Sequence, residues 1–176
     1  MRARRLLRLC AALGAAVLSA TVVAQSAPPG WAARPSQGGT LYAPSDLPAG
    51  KVLHVWVSAP FDDTGDGVAT LQHQSQRDAR EAQSLSGRTV QCEASSPQPN
   101  GSLMQGCRFS AAAGEPLFAQ YVKLPAVVGR SVLVRFVVPD DEALAHQYQG
   151  GVGDVIKAAA QQLQGDGQPS GNVVRP

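Results

Sequence analysis

Two segments of this chain are apolar on both of their alternating faces, and they constrain the fold more than anything else in it. They are Lys51–Ser58 (KVLHVWVS) and Ser131–Val138 (SVLVRFVV). Successive side chains of a β-strand point to opposite faces, so strands of this kind have to be covered on both sides. In the first, Leu53, Val55 and Val57 face one way, and Val52, His54 and Trp56 face the other. In the second, Arg135 is the only charged residue. Both read as central strands of one sheet with a layer of structure on each face.

The remaining pattern supplies those layers. Val68, Leu71, Ala79, Ala82 and Leu85 recur at helical spacing between Gln, Arg and Glu residues, which predicts an amphipathic helix over 68–85. Asp66 is placed to cap it and Gly87 to stop it. Arg88–Ala94 and Leu103–Ala111 read as strands flanking a turn that contains Asn100-Gly101, a pair tolerant of positive φ. Pro116–Leu124 is a further strand. Pro139-Asp140-Asp141-Glu142 opens a last helix, with acidic groups at its positive end. Gly150-Gly151 is expected to kink or break that helix before Asp154–Leu163. Strands linked by hairpins imply an α+β fold. The expected form is a mainly antiparallel sheet with one helix from the N-terminal half and one C-terminal helix packed on it.

This order resembles the MOG1/PsbP-like α/β/α sandwich family. The likeness is carried by the Thr40–Ser58 start (TLYAPSDLPAGKVLHVWVS) and by the Val132–Leu163 ending, where a strong strand leads through Tyr148 into the Val155-Ile156 helix. The resemblance implies a strand pair, a helix, an antiparallel run and a C-terminal helix. It also implies a binding or assembly accessory rather than one shared chemistry. Cys92 and Cys107 lie outside the general family pattern.

The N-terminus bears on compartment. Arg2, Arg4, Arg5 and Arg8 precede an apolar and small-residue run from Leu9 to Ala24 that ends Val22-Val23-Ala24. A basic region, an apolar region and a small-residue cleavage site make a secretory signal peptide, with cleavage between Ala24 and Gln25. The run is short for a membrane span of about 20 residues. The chain then divides into a signal peptide (1–24), a flexible Pro-, Gly- and Ser-rich linker (25–39), one α+β domain (40–164) and a disordered tail (165–176). The expected location is periplasmic or secreted, and the protein is not expected to be integral to a membrane. Without the leader, eleven basic side chains face thirteen acidic ones and no basic stretch remains, so nucleic acid is not an expected partner. Cys10 leaves with the leader. Cys92 and Cys107 then form an even pair in an oxidising compartment, expected as a disulfide across the hairpin.

Motifs for chemistry are scattered. Asp62-Asp63-Thr64-Gly65-Asp66-Gly67 has a calcium-loop start, but His73 stands at the twelfth position, where a bidentate carboxylate belongs. His54, His73 and His146 share no ligand spacing. No nucleophile elbow, Cys-x-x-Cys or phosphate loop is present. No catalytic residue, metal or cofactor is therefore assigned. The one binding feature is a possible apolar pocket where His54 and Trp56 share a sheet face, with Tyr121 as a third candidate. The leading reading is an exported, non-enzymatic accessory that binds an envelope protein or a small apolar ligand. A hydrolase, or an inhibitor acting through the stapled Cys92–Cys107 hairpin, are the alternatives. N-terminal sequencing of the exported protein should begin at Gln25; an intact Met1 in the membrane fraction would mean an uncleaved anchor instead.

Overall fold

The computed structural model describes residues 27–111 and 114–166. The leader, the Ala24–Gln25 cleavage site and most of the expected tail lie outside the described residues.

Among the described residues, ten strands and two helices follow in chain order: β1 (Trp31–Ser36), β2 (Gly39–Pro44), β3 (His54–Ser58), β4 (Phe61–Asp62), α1 (Gly67–Ser86), β5 (Thr89–Cys92), β6 (Ser96–Pro97), β7 (Leu103–Ser110), β8 (Leu117–Lys123), β9 (Arg130–Ser131), β10 (Leu133–Pro139) and α2 (Glu142–Asp166). The main sheet runs β1-β2-β3-β10-β8-β7-β5, with β6 on β7, and its paired strands are antiparallel. β4 and β9 form a separate small pair. The structure is α+β, with α1 from the first half and α2 at the C-terminal end packed on opposite faces of the sheet, the layer order that the family resemblance implied.

The two doubly apolar segments occupy the middle, where β3 and β10 pair directly. Val55, Val57, Val122 and Val134 face α2, which presents Val155, Ala159 and Leu163. Trp56, Phe109, Tyr121 and Leu133 face α1, which presents Leu71. Asp66 caps α1 by accepting from the Ala69 N–H at 2.9 Å, and Gly87 ends it at φ 62°.

Cys92 and Cys107 are directly opposite in the β5–β7 register and are bridged. The neighbouring Glu93 N–H donates to the Gly106 carbonyl, so the cysteines form the non-hydrogen-bonded pair, in which side chains approach most closely. Their separation of 15 residues corresponds to about 3 kcal/mol in the loop-closure model.

Two expectations need correction. Residues 31–36, read as part of a tether, form the edge strand β1. Gln37-Gly38 is the two-residue hairpin loop that turns it onto β2, with Gly38 at φ 69°. Pro35 is tolerated because β1 is an edge. The anchor is Trp31, which packs with Leu53 and Tyr148, its ring edge-on to the tyrosine at 6.4 Å. The same tryptophan explains the second correction. α2 is continuous through Gly150-Gly151, and a Cβ on Gly151 would overlap the Trp31 indole. Gly151 is thus a contact glycine rather than a breaker. Gly150 has open space around it.

The two glycines should therefore respond oppositely to alanine. Gly150→Ala should raise stability by up to about 1 kcal/mol through helix propensity. Gly151→Ala should lower it by roughly 1–3 kcal/mol through overlap with Trp31. Urea melts measure both, and equal shifts of the same sign would contradict the packing described.

Candidate functional site

One row of side chains crosses the face of the sheet beneath α1. The strand registers place Arg34, Leu41, Trp56, Arg135, Tyr121 and Gln105 side by side on successive strands. Arg135 sits at the centre, on a strand whose other side chains are apolar. A guanidinium in that position requires a counter-charge, because an unpaired buried charge is strongly unfavourable.

α1 provides it. Asp78 is 6% exposed, and its Oδ2 accepts from Arg135 Nη1 at 2.6 Å and from the Tyr121 hydroxyl at 3.0 Å. Its Oδ1 accepts from Gln74 Nε2 at 2.9 Å. Arg135 also stacks over the Trp56 ring, 5.6 Å from its centroid. Burial, and then the Asp78 charge, push the Tyr121 hydroxyl well above the ordinary tyrosine range, so it remains a donor.

This network redraws the buried face of α1. The expected stripe included Val68 and Leu85, yet these are 44% and 78% exposed. The buried positions are Leu71, Gln74, Ser75 and Asp78. Polar side chains turn inward because the ion pair and its hydrogen bonds hold them there.

A cavity of about 300 Å³ opens between the C-terminal half of α1 and the sheet. Its walls are mainly apolar, formed by Ala82, Leu85, Phe109, Leu117 and Val137. Six ionisable side chains line it as well: His54, Asp78, Glu81, Arg88, Tyr121 and Arg135. The exposed Leu85 marks the mouth. The structure brings His54 and Tyr121 to this one cavity. Trp56 lies two residues further along β3 and lines a separate hollow with Phe61 and His73. It meets the cavity only through the guanidinium stacked on it.

His54 makes no hydrogen bond among the described residues. Its pKa is lowered to about 4, by burial first, then by the positive charges of Arg135 and Arg34, with Asp78 opposing. The ring is neutral at pH 7 and the field around it is positive.

The other singled-out groups stand apart. Asp63 pairs with Lys123 at 2.6 Å, which holds the loop before α1 against the sheet. Asp62 is almost fully exposed. His73 lies by the Trp56 hollow and His146 near the start of α2. Among the described residues no cluster of three or more His, Cys, Asp or Glu could hold a metal ion, and no helix is long and apolar enough to cross a membrane.

No known family model matches the chain, and no curated protein matches it. Solved structures similar to it include the Ran-binding protein Mog1p of Saccharomyces cerevisiae. That match has 12% identity over 78% of this chain and 85% of that one, with a TM-score of 0.44. Another is cyanobacterial PsbP (CyanoP) of Synechocystis sp. PCC 6803, at 14% identity over 74% of this chain and 81% of that one, with a TM-score of 0.43. Both carry the names of the sandwich family that the sequence resembles.

Two outcomes follow from the site. Asp78→Leu should cost roughly 3–5 kcal/mol, because it strands Arg135, whereas Asp78→Leu with Arg135→Met should recover more than half of that loss. Additive costs in urea unfolding would show that the two residues are not coupled. For His54, the unfolded chain binds more protons than the folded one between the ordinary value of 6.5 and about 4. Stability should therefore fall as pH drops through that window, by on the order of 2–3 kcal/mol, and level off below it. His54→Gln should flatten this slope; an unchanged slope would place the titration elsewhere.

Proposed function

We propose that the protein is an exported, non-enzymatic binding protein, and that its ligand is a small, mainly apolar molecule held between α1 and the sheet. The observation that carries this reading is the cavity itself: apolar walls, a few converging polar groups, and a volume at the lower end of the about 300–1,000 Å³ common for small-molecule sites. Export with loss of residues 1–24 is part of the proposal. The leader pattern supports it, as does a bridged Cys92–Cys107 pair, which suits an oxidising compartment.

A hydrolase is the second reading, favoured by the ionisable groups around the cavity. Their commitments weigh against it. Asp78 is occupied by Arg135, Tyr121 and Gln74, and Tyr121 by Asp78. The Ser86 hydroxyl in the wall donates to the Ala82 carbonyl. A histidine with a pKa of about 4 is a poor general base near neutrality. The inhibitor reading loses its basis in shape. The stapled hairpin is built into the sheet, with Leu103–Phe109 paired along β8, so little of it protrudes.

Calorimetric titration of the purified protein with straight-chain alcohols of about six to ten carbons tests the leading reading. Binding should strengthen with chain length until the cavity is full. Ala82→Phe, which fills the cavity from the helix wall, should abolish it without lowering the melting temperature by more than a few degrees. Absence of binding across the series, or undiminished binding to a folded Ala82→Phe protein, would overturn it.

A further inference from the structure

The cavity has more hydrogen-bond donors than acceptors to meet them. Arg135 carries five N–H donors. Nη1 is engaged by Asp78, and Nε is buried with no acceptor among the described residues. Nη2 has no hydrogen bond among the described residues, the side chain is 20% exposed, and Arg135 is one of the residues that line the cavity. His54 stands close enough for the Arg135 charge to act on its ring, and neither ring nitrogen has a hydrogen-bond partner among the described residues. At the other wall, Arg88 is held by the carbonyls of Phe109 and Glu115, without a carboxylate partner among the described residues. Arg34 adds a further positive charge from the sheet edge. Against these cations stand Asp78, already paired, and Glu81 in the helix wall. A guanidinium with an open N–H edge is the side chain best shaped to receive a carboxylate.

Resting on the reading of the cavity as a ligand site, we propose that the ligand is a medium-chain monocarboxylate. Its carboxylate accepts from Arg135 Nη2 beside the neutral His54 ring. Its alkyl chain runs along Val137, Leu117 and Ala82 towards Leu85 at the mouth. The Arg135–Asp78 pair stays intact in the complex, so the incoming anion meets a guanidinium already fixed in place by Asp78 and Trp56 rather than one that has to be ordered on binding. The charges of Arg135 and Arg34, which add to burial in keeping His54 neutral, also attract the anion.

Three probes with the same chain and different heads decide this: octanoate, octan-1-ol and octylammonium, each titrated calorimetrically into the purified protein at pH 7 and low salt. Octanoate should bind at least about tenfold more tightly than octanol, the worth of one charge-assisted hydrogen bond, and octylammonium most weakly. Arg135→Lys keeps a cation for Asp78 but loses the planar fork, and should bring octanoate to within about threefold of octanol. If that variant fails to fold, His54→Asp serves instead. It sets a like charge beside the docking position, so it should remove octanoate binding and leave octanol binding. Octanol or octylammonium binding as well as octanoate would overturn the carboxylate assignment and leave the apolar cavity reading standing. An octanoate preference that survives in folded Arg135→Lys or His54→Asp protein would also overturn it, since the head group would then lie elsewhere. No binding by any of the three would overturn the cavity reading together with this inference.

Discussion

The ion pair between Arg135 and Asp78 is the constraint around which one half of the molecule is arranged. Arg135 sits in the middle of a row that crosses six strands, between Trp56 and Tyr121. Removing a charge from water is costly unless a partner and further hydrogen bonds replace the lost solvation. Asp78 supplies the charge, while Tyr121 and Gln74 satisfy its remaining lone pairs. These bonds fix the rotation of α1 about its own axis, because only one helix face can bring Asp78 onto the strand. With that rotation set, Val68 and Leu85 are left at the edge of the contact rather than under it. The cavity is the consequence: a polar contact in the middle of the helix, with the C-terminal turns of the helix lying over the sheet without closing on it.

The opposite face obeys a different logic. α2 meets the sheet through Val155, Ala159 and Leu163, all nearly fully buried, against valines and Tyr42. Small residues on α2 allow close approach, and Gly151 gives the Trp31 ring room against the helix. Tyr148 closes this end by donating to Asp46. Close packing of this kind resists change in volume along the middle of the contact, and a hollow of about 340 Å³ remains towards the start of α2, beside Phe136, Val138 and His146. The face under α2 is held by apolar packing, and the face under α1 by the Arg135–Asp78 network with a cavity beside it. The disulfide steadies the second face, since Cys107 belongs to the core beneath α1.

What was legible in the sequence was whatever depends on local pattern. The period-two alternation of 51–58 and 131–138 was enough to place β3 and β10 at the centre, and the Asn-Gly turn with its flanking cysteines was enough to pair β5 with β7. The Asp66 cap and the Gly87 stop were readable because both act within one turn of the helix. Pairings at long range were not. β1 is hidden in a Pro- and Gly-rich stretch whose composition suits a linker. It becomes a strand because Trp31 finds a pocket made by Leu53 and Tyr148, far along the chain. Gly151 looked like a breaker because its function depends on that same tryptophan. Asp78 was missed since an aspartate on an amphipathic helix ordinarily faces water. The signal that could have found it was Arg135: a lone cation in a strand covered on both sides implies a buried carboxylate on one of the covering layers.

The candidate trio of His54, Trp56 and Tyr121 was chosen from faces of strands, and the structure shows why face alone is too coarse. Trp56 and Tyr121 sit in one row with Arg135 between them, while His54 sits in the next row, opposite Val137. Trp56 therefore contributes its ring face to the guanidinium, not its edge to the cavity. That distinction bears on function. A catalytic histidine needs a partner to orient it and a proton affinity matched to its task. His54 has neither: no hydrogen bond among the described residues fixes its ring, and burial first, then the charges of Arg135 and Arg34, lower its pKa to about 4. A neutral ring beside a fixed cation is poorly suited to moving protons. It is well suited to lying against an oxygen-bearing head group without repelling it. The arginine charges that add to burial in weakening His54 as a base are the same charges on which the proposed recognition of an anionic head group rests.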